Sequence, residues 1–469
     1  MKLETFKYIY FLGIGGIGMS AIARWFHAKG FPVWGYDKTR TPLSEALEQE
    51  GIVVHYTDDV KELPEEVLQH KEETLVVLTP AIPADHAEWA FFREQHYTIQ
   101  KRSQVLGIIT ASAYTIAVAG THGKTTTSSI VAHLLHSAGV DCSAFLGGIA
   151  TNLNSNLLIG SGTAGNEVVV VEADEFDRSF LTLFPDIAIV TSADPDHLDI
   201  YGDKDELVRT FQKFIGQIKP GGTLIIHDSI QESLAESVQP GVQVIKYGLH
   251  SGEARIKDLT IEGRWFKFNA LTPLGAVARL ELGLPGFHNV ENTLAALVAT
   301  QLLQIEEDKI REGVKSYKGV KRRFEFVYEG EGKTYVDDYA HHPREIEAFL
   351  TSLRALFPDK KLKVIFQPHL YSRTRDFASG FSESLSLADE LVLLDIYPAR
   401  EQPIPGITSD IILSGALCKK KSILSKEDVL HNFLENLDFD VLATVGAGDI
   451  DTLVLPLKNL FKNRRDGLE

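Results

Sequence analysis

The run Gly120-Thr-His-Gly-Lys-Thr125 contains the residue types that handle a nucleoside triphosphate. It follows a β-branched apolar segment, Tyr114–Ala119, and opens a helical pattern that continues to about Ala138. Glycines let the chain turn tightly there, so backbone N–H groups and the helix N-terminus can face phosphate oxygens. A lysine at this point reaches the β- and γ-phosphates, and the threonine after it can hold Mg²⁺. Val118 stands where the standard phosphate-loop spacing has its first glycine, so the loop is a variant of that pattern. Gly120, Thr121, His122, Gly123, Lys124, Thr125 and Thr126 are the expected ATP-binding residues. Gly13, Gly15 and Gly18 form a second glycine turn, again between a strand pattern and a helix pattern. Asp37 lies about twenty residues on, at the end of the next strand. On its own this turn also suits a nicotinamide dinucleotide. A dinucleotide-dependent oxidoreductase and a P-loop ATPase are therefore the rival readings.

Acidic residues follow two further strand patterns. Glu172-Ala-Asp-Glu175 ends one of them, where carboxylates in doubly wound sheets meet ligands and metals. Asp194-Pro-Asp-His-Leu-Asp199 ends the next, and His197 is a candidate second metal ligand beside Glu172. Two more junctions carry cations, imidazoles and a phenol. They are Asp337-Asp-Tyr-Ala-His-His-Pro343 and Phe366-Gln-Pro-His-Leu-Tyr-Ser-Arg-Thr-Arg375, and their composition suits an anionic substrate.

To place these loops the chain needs parallel α/β sheets, because parallel strands bring successive strand ends to one edge. Short apolar runs alternating with helical stretches supply that pattern in three blocks. The expected organisation is α/β in three domains. Residues 1–111 form an N-terminal Rossmann-like domain, 112–320 a central P-loop ATPase-like domain, and 321–469 a C-terminal Rossmann-like domain. Expected strands include Tyr8–Leu12, Val33–Tyr36, Thr74–Thr79, Glu167–Glu172, Ile187–Thr191, Thr223–His227, Leu362–Phe366 and Val441–Val445. A β-rich excursion over roughly 255–282 precedes a helix over 289–303.

Composition narrows the function. The 469 residues hold 47 Lys+Arg against 64 Asp+Glu, a formal net charge of −17, which argues against a general nucleic-acid binder. No run of 18 apolar residues exists, so no membrane insertion is expected. Only Cys142 and Cys418 occur, too few for a disulfide framework or a Cys-based zinc site. A soluble cytoplasmic protein is expected.

Taken together, the motifs resemble those of the Mur ligases, the ATP-dependent amide ligases of peptidoglycan precursor synthesis. The resemblance rests on GIGGIGMSAIA (Gly13–Ala23), AGTHGKTTT (Ala119–Thr127), EADEFDRSFL (Glu172–Leu181) and DPDHLDIY (Asp194–Tyr201). It also rests on PGFHNVENTLAA (Pro285–Ala296), VDDYAHHP (Val336–Pro343) and FQPHLYSRTRD (Phe366–Asp376). It implies the cofactors ATP and Mg²⁺, and the small-molecule substrates UDP-N-acetylmuramate and L-alanine. A sister activity, attachment of a whole tripeptide, is the alternative within the family.

Residue by residue, the resemblance assigns Lys124 to phosphate, and Thr125, Glu172 and His197 to the metal. His288 and Asn292 match the adenine pocket. Arg323 and Asp338 (or its neighbour Asp337) match contacts to the ATP ribose and phosphates. Gly13, Gly15, Gly16, Gly18, Asp37 and Pro80 match the UDP-substrate site. Tyr339, His341, His369 and Arg373 match the amino-acid pocket, with His369 and Arg373 joining Lys124, Glu172 and His197 in the catalytic set. The chain departs from the family at Leu370, where relatives often carry arginine, and at Phe176, where many carry serine. Lys213 lies where sister ligases carry a carbamylated lysine, and its modification is not expected.

Overall fold

The computed structural model describes residues 3–111, 113–161, 167–194, 204–399, 401–433 and 438–466. Three sheets organise them. The first is built from β1 (Tyr8–Leu12), β2 (Val33–Tyr36), β3 (Val53–His55), β4 (Thr74–Leu78) and β5 (Thr98–Lys101), in the order β3-β2-β1-β4-β5. Every pairing in it is parallel. The central strand reads as a continuous apolar run because both its faces are covered. Ile9 and Phe11 pack toward Met19, Ile22 and Phe26 of the helix Ile17–Ala28. Tyr10 and Leu12 pack on the other side with Phe92 of the helix Ala87–Glu94.

The second sheet has ten strands. They are β6 (Tyr114–Ala119), β7 (Cys142–Ala150), β8 (Ser155–Leu158), β9 (Val168–Glu172), β10 (Ile187–Val190), β11 (Thr223–His227), β12 (Gln243–Gly248), β13 (Ala254–Glu262), β14 (Trp265–Thr272) and β15 (Gly275–Leu282). Their order is β15-β14-β13-β12-β11-β10-β6-β9-β7-β8. β6 sits between β9 and β10 with both pairings parallel, so three strand C-termini converge around its end. In an open α/β sheet that convergence is the ligand-binding crevice.

The third sheet contains β16 (Glu325–Gly330), β17 (Lys333–Asp338), β18 (Leu362–Phe366), β19 (Glu390–Leu393), β20 (Lys420–Ile423) and β21 (Val441–Val445), ordered β16-β17-β21-β18-β19-β20. Its core gathers Tyr335, Ile365, Leu442, Ile450, Leu457 and Phe461.

The sheets are not purely parallel, as the block reading had implied. β8 runs antiparallel to β7, and β16 antiparallel to β17, each at a sheet edge. The edge strands were hard to read because they need only one paired side, and β8 and β16 are only partly buried.

The described chain divides into two compact units. One spans 1–259, 268–281 and 291–318; the other spans 260–267, 282–290 and 319–469. The first two sheets thus share one unit, joined by a continuous apolar core that runs from Phe26 and Leu106 to Phe145, Phe180 and Leu183. Hydrogen bonds cross between them as well: Thr182 Oγ1 donates to Ser103 O at 2.8 Å, and Arg24 Nη1 to Asn156 Oδ1 at 2.9 Å. No described helix is long and apolar enough to cross a membrane.

Candidate active site

The phosphate loop lies where β6 gives way to the helix Lys124–Ser137. Gly120 has φ +135° and Gly123 φ +80°, conformations that L side chains avoid. Space is as restrictive as backbone angle here. A Cβ on Gly120 would stand 2.2 Å from Thr191 Oγ1, and one on Gly123 2.8 Å from Asn292 Oδ1. Ser192, after β10, pins the loop: its hydroxyl accepts from His122 N at 2.8 Å and meets Thr121 Oγ1 at 2.9 Å. Asp194 N donates to Thr121 Oγ1 at 3.1 Å, and His122 Nε2 lies 3.6 Å from Asp194 Oδ2. Thr125 and Thr126 are buried in the first helical turn.

Lys124 Nζ donates to Gly120 O at 2.7 Å and lies 3.0 and 2.8 Å from the two carboxylate oxygens of Glu175. Burial opposes the charge on Lys124, but Glu175, Asp174 and Glu172 outweigh it and hold the ammonium above its usual range. Glu172 ends β9 opposite Val118 of β6. Its Oε1 accepts from Thr125 Oγ1 at 3.1 Å, and its Oε2 from Gly147 N at 2.9 Å. A hydroxyl and a carboxylate side by side are hard oxygen donors of the kind Mg²⁺ selects. His197, the expected third ligand, lies outside the described residues. Among the described residues no group of three or more His, Cys, Asp or Glu side chains could hold a metal.

Asn292 is buried on the helix Phe287–Leu302, with His288 one turn before it on the same helix. Its neighbour Glu291 meets His227 Nε2, at the end of β11, at 3.2 Å. Burial disfavours the charged imidazole, yet the Glu291 hydrogen bond and charge raise the pKa of His227.

The glycine turn of the first sheet is held by a carboxylate. Asp37 Oδ2 accepts from Gly15 N at 2.7 Å, and its Oδ1 from Thr39 N at 3.1 Å. Asp37 therefore shapes the turn, with Gly13 N and Ile14 N both donating to Tyr36 O. Gly16 caps the helix Ile17–Ala28, and Pro80 is exposed in the turn after β4. A cavity of about 300 Å³ opens beside this turn, lined among others by Gly16, Gly18, Arg102, Gly147, Glu172 and Asp174. It joins the glycine turn to the acidic end of β9 within one compact unit. Arg102 Nη1 is so close to Gly18 that a Cβ there would stand 2.9 Å away, and Arg102 Nη2 lies 4.0 Å from Asp174 Oδ2. Sequence reading missed Arg102. It opens the helix Arg102–Ala111, in a stretch with no motif of its own, and only the packing of two sheets brings it to the cavity.

In the other unit, Tyr339, His341 and His369 come together. The rings of Tyr339 and His341 are 5.5 Å apart, and those of His341 and His369 6.1 Å apart. Tyr397 extends the row, stacked on His369 at 5.7 Å. The Arg323 guanidinium sits 5.0 Å over the Tyr339 ring, with Arg322 5.2 Å from the same ring. Arg373 is buried on the short helix Tyr371–Asp376. Leu370, at the start of that helix, has φ +70°, a strained backbone for a leucine. Both aspartates after Val336 are engaged internally. Asp337 takes Arg322 Nε at 3.0 Å and Thr444 Oγ1 at 2.5 Å. Asp338 accepts from Phe324 N at 2.7 Å and Ala340 N at 2.8 Å. Burial raises Asp338 to about 6, against the opposing charge of Arg323.

A phosphate loop with lysine and carboxylate, a second glycine turn, and three α/β domains define an ATP-using ligase architecture, and the chain belongs to the Mur ligase family. Residues 8–114 match the Mur ligase family catalytic domain, 118–300 the Mur ligase middle domain, and 322–448 the Mur ligase glutamate ligase domain. The chain is 48% identical over 474 residues to the UDP-N-acetylmuramate–L-alanine ligase of Cytophaga hutchinsonii, covering 99% of each. It is 45% identical to the enzyme of the same name from Phocaeicola vulgatus, over 99% of this chain and 100% of the relative. The solved UDP-N-acetylmuramate-alanine ligase of Thermotoga maritima is similar in fold, with a TM-score of 0.78 at 26% identity, covering 98% of this chain and 100% of that one.

Proposed function

We propose that the chain joins L-alanine to the lactyl carboxylate of UDP-N-acetylmuramate, converting ATP to ADP and phosphate. The observation that carries this reading is the cavity that links the glycine turn at Gly16–Gly18 to Glu172, next to Thr125 and Lys124 of the phosphate loop. A UDP-linked acid anchored at the glycine turn would thereby point its carboxylate toward the γ-phosphate. The full-length likeness to ligases that carry this activity in their names supports it.

A carboxylate must be activated before an amine can displace its oxygen. In this proposal the lactyl carboxylate attacks the γ-phosphate, ADP leaves, and an acyl phosphate forms. Lys124 offsets charge on the transferring group, and the N–H groups of the loop hold the chain of phosphates. Thr125, Glu172 and His197 would hold Mg²⁺, which when bound supplies further charge neutralisation on the phosphates. The alanine amine then attacks the acyl carbon and phosphate departs. Because acyl phosphates hydrolyse, water must be kept out until the amine arrives.

Asn292 and His288 serve the adenine and Arg323 the ribose and phosphate end, while Asp338, expected beside Arg323, braces that loop through Phe324 N and Ala340 N. Arg102 joins Gly13, Gly15, Gly16, Gly18, Asp37 and Pro80 at the UDP-substrate site. Tyr339, His341, His369 and Arg373 form the alanine pocket, where a buried guanidinium suits the amino-acid carboxylate. The domain limits 1–111, 112–320 and 321–469 belong to the same reading. So does a cytoplasmic location, where ATP and a UDP-linked sugar acid are both at hand.

The test is ADP release measured with and without UDP-N-acetylmuramate and L-alanine. Release that depends on both substrates is expected. Release that needs neither would reduce the chain to an ATPase. A competition among L-alanine, glycine, L-serine and a tripeptide would then settle the amine. L-Alanine should win, glycine should react slowly because one methyl is worth roughly 1–3 kcal/mol, and preferential tripeptide incorporation would refute the substrate.

A further inference from the structure

Glu175 is fully buried and meets the Lys124 ammonium through both oxygens, Oε1 by a hydrogen bond and Oε2 in the ion pair. An ammonium has three N–H donors. Two of those of Lys124 are taken by Gly120 O at 2.7 Å and Glu175 Oε1 at 3.0 Å, and Glu175 Oε2 lies 2.8 Å away in the ion pair. Lys124 is also the residue assigned to the γ-phosphate, so this inference rests on the ATP reading above. A phosphate oxygen approaching Nζ must compete with the Glu175 carboxylate beside it, and that carboxylate repels the phosphate as it comes. We propose that Glu175 is an internal counter-anion that occupies the γ-phosphate's place on Lys124, and that ATP binds by exchanging with it. The residue thereby tunes nucleotide affinity. It keeps the lysine ordered and paired in the empty loop, and it makes ATP binding weaker than the loop alone would allow. Glu175 stands three residues after Glu172, immediately before the short 3₁₀ helix Phe176–Thr182, so its release from Lys124 moves charge within the acidic loop.

The sign of the effect separates this role from a structural one. Losing a residue that merely supports the loop weakens ATP binding, whereas losing a competitor strengthens it. Glu175→Gln keeps shape and one acceptor but removes the charge. Calorimetric titration of ATP into the full chain, without the other substrates, is expected to give a Kd about tenfold lower than for the wild type, the order set by one charge-assisted contact that no longer has to break. An unchanged or weaker affinity overturns the proposal. Should Glu175→Gln not fold, Glu175→Asp retains the charge on a shorter arm. It is expected to bind ATP more tightly than the wild type by a smaller factor, and equal or weaker binding again overturns the idea. Lys124→Ala in the same titration tests the underlying reading separately. If it binds ATP as well as the wild type, the assignment of Lys124 to phosphate fails, whatever Glu175 does.

Discussion

The two glycine turns of the first unit share a strand–turn–helix plan and differ in what charge they carry. At Gly13–Gly18 the backbone turn is held by an aspartate, Asp37, and the cation on the neighbouring cavity wall, Arg102, comes from the helix Arg102–Ala111. At Gly120–Thr125 the cation is built into the turn as Lys124, with Glu172 and Glu175 brought by the adjacent strand. The first arrangement can hold an anion. The second can also stabilise charge that moves during a reaction, because its lysine and carboxylate are fixed within a few ångström of the loop. In the proposed function the same local fold serves binding in one place and chemistry in the other.

The sharpest break in this contrast is Lys124→Ala. Ligation should fall by on the order of 10²–10³-fold or more while the fold survives, because a transition-state charge contact is lost. Product formation near the wild-type rate by a folded variant would erase the distinction between the turns. Arg102→Ala should behave differently: a KM for UDP-N-acetylmuramate raised by about tenfold or more, with the KM for ATP little changed. Initial-rate kinetics with each substrate varied in turn would show this, and a selective loss of ATP affinity would contradict it. Asn292→Ala should give the mirror image on a smaller scale, raising the KM for ATP by several-fold, about what one hydrogen bond contributes, and leaving that for the UDP substrate alone.

The last test concerns stability and two buried carboxylates of this unit. Glu175 faces a lysine. Glu88, in the first sheet's domain, is equally buried but meets Tyr10 OH at 2.6 Å and His55 Nε2 at 3.4 Å. Burial therefore raises its pKa to about 8. A carboxyl whose folded pKa exceeds its unfolded value binds an extra proton when folded. Its contribution to stability is full below the unfolded pKa and is lost as pH rises through the folded one. The chain should accordingly lose about 2 kcal/mol of stability between pH 6 and pH 8 from this group, and Glu88→Gln should flatten that slope. Urea denaturation at the two pH values measures it. An equal slope in wild type and variant would show that Glu88 is not the cause.

Much of this was legible in the residues. The expected β1, β2, β6, β11, β18 and β21 match the observed strands end for end, because each is an apolar run bounded by turn residues. The β-rich excursion and the helix after it also lie where alternation and periodicity put them. The lysine and glycines of the phosphate loop were visible because local geometry itself demands those residue types at that spacing.

The sequence by itself therefore determined the strand–turn–helix units, the two glycine turns and the family to which the chain belongs. All of these depend on neighbours within a few residues. Only the tertiary structure decided what surrounds each turn. The pairing of Glu175 with Lys124 spans fifty-one positions, and that of Arg102 with Asp174 spans seventy-two (differences of residue numbers). It also decided that Asp37 braces its own turn, that Asp337 and Asp338 face inward, and that Tyr397 lies on His369. Such contacts are set by the order of strands in a sheet and by the packing of one sheet against another. No local spacing encodes them, because the chain between the partners can be long and the physical requirement is only that the surfaces meet.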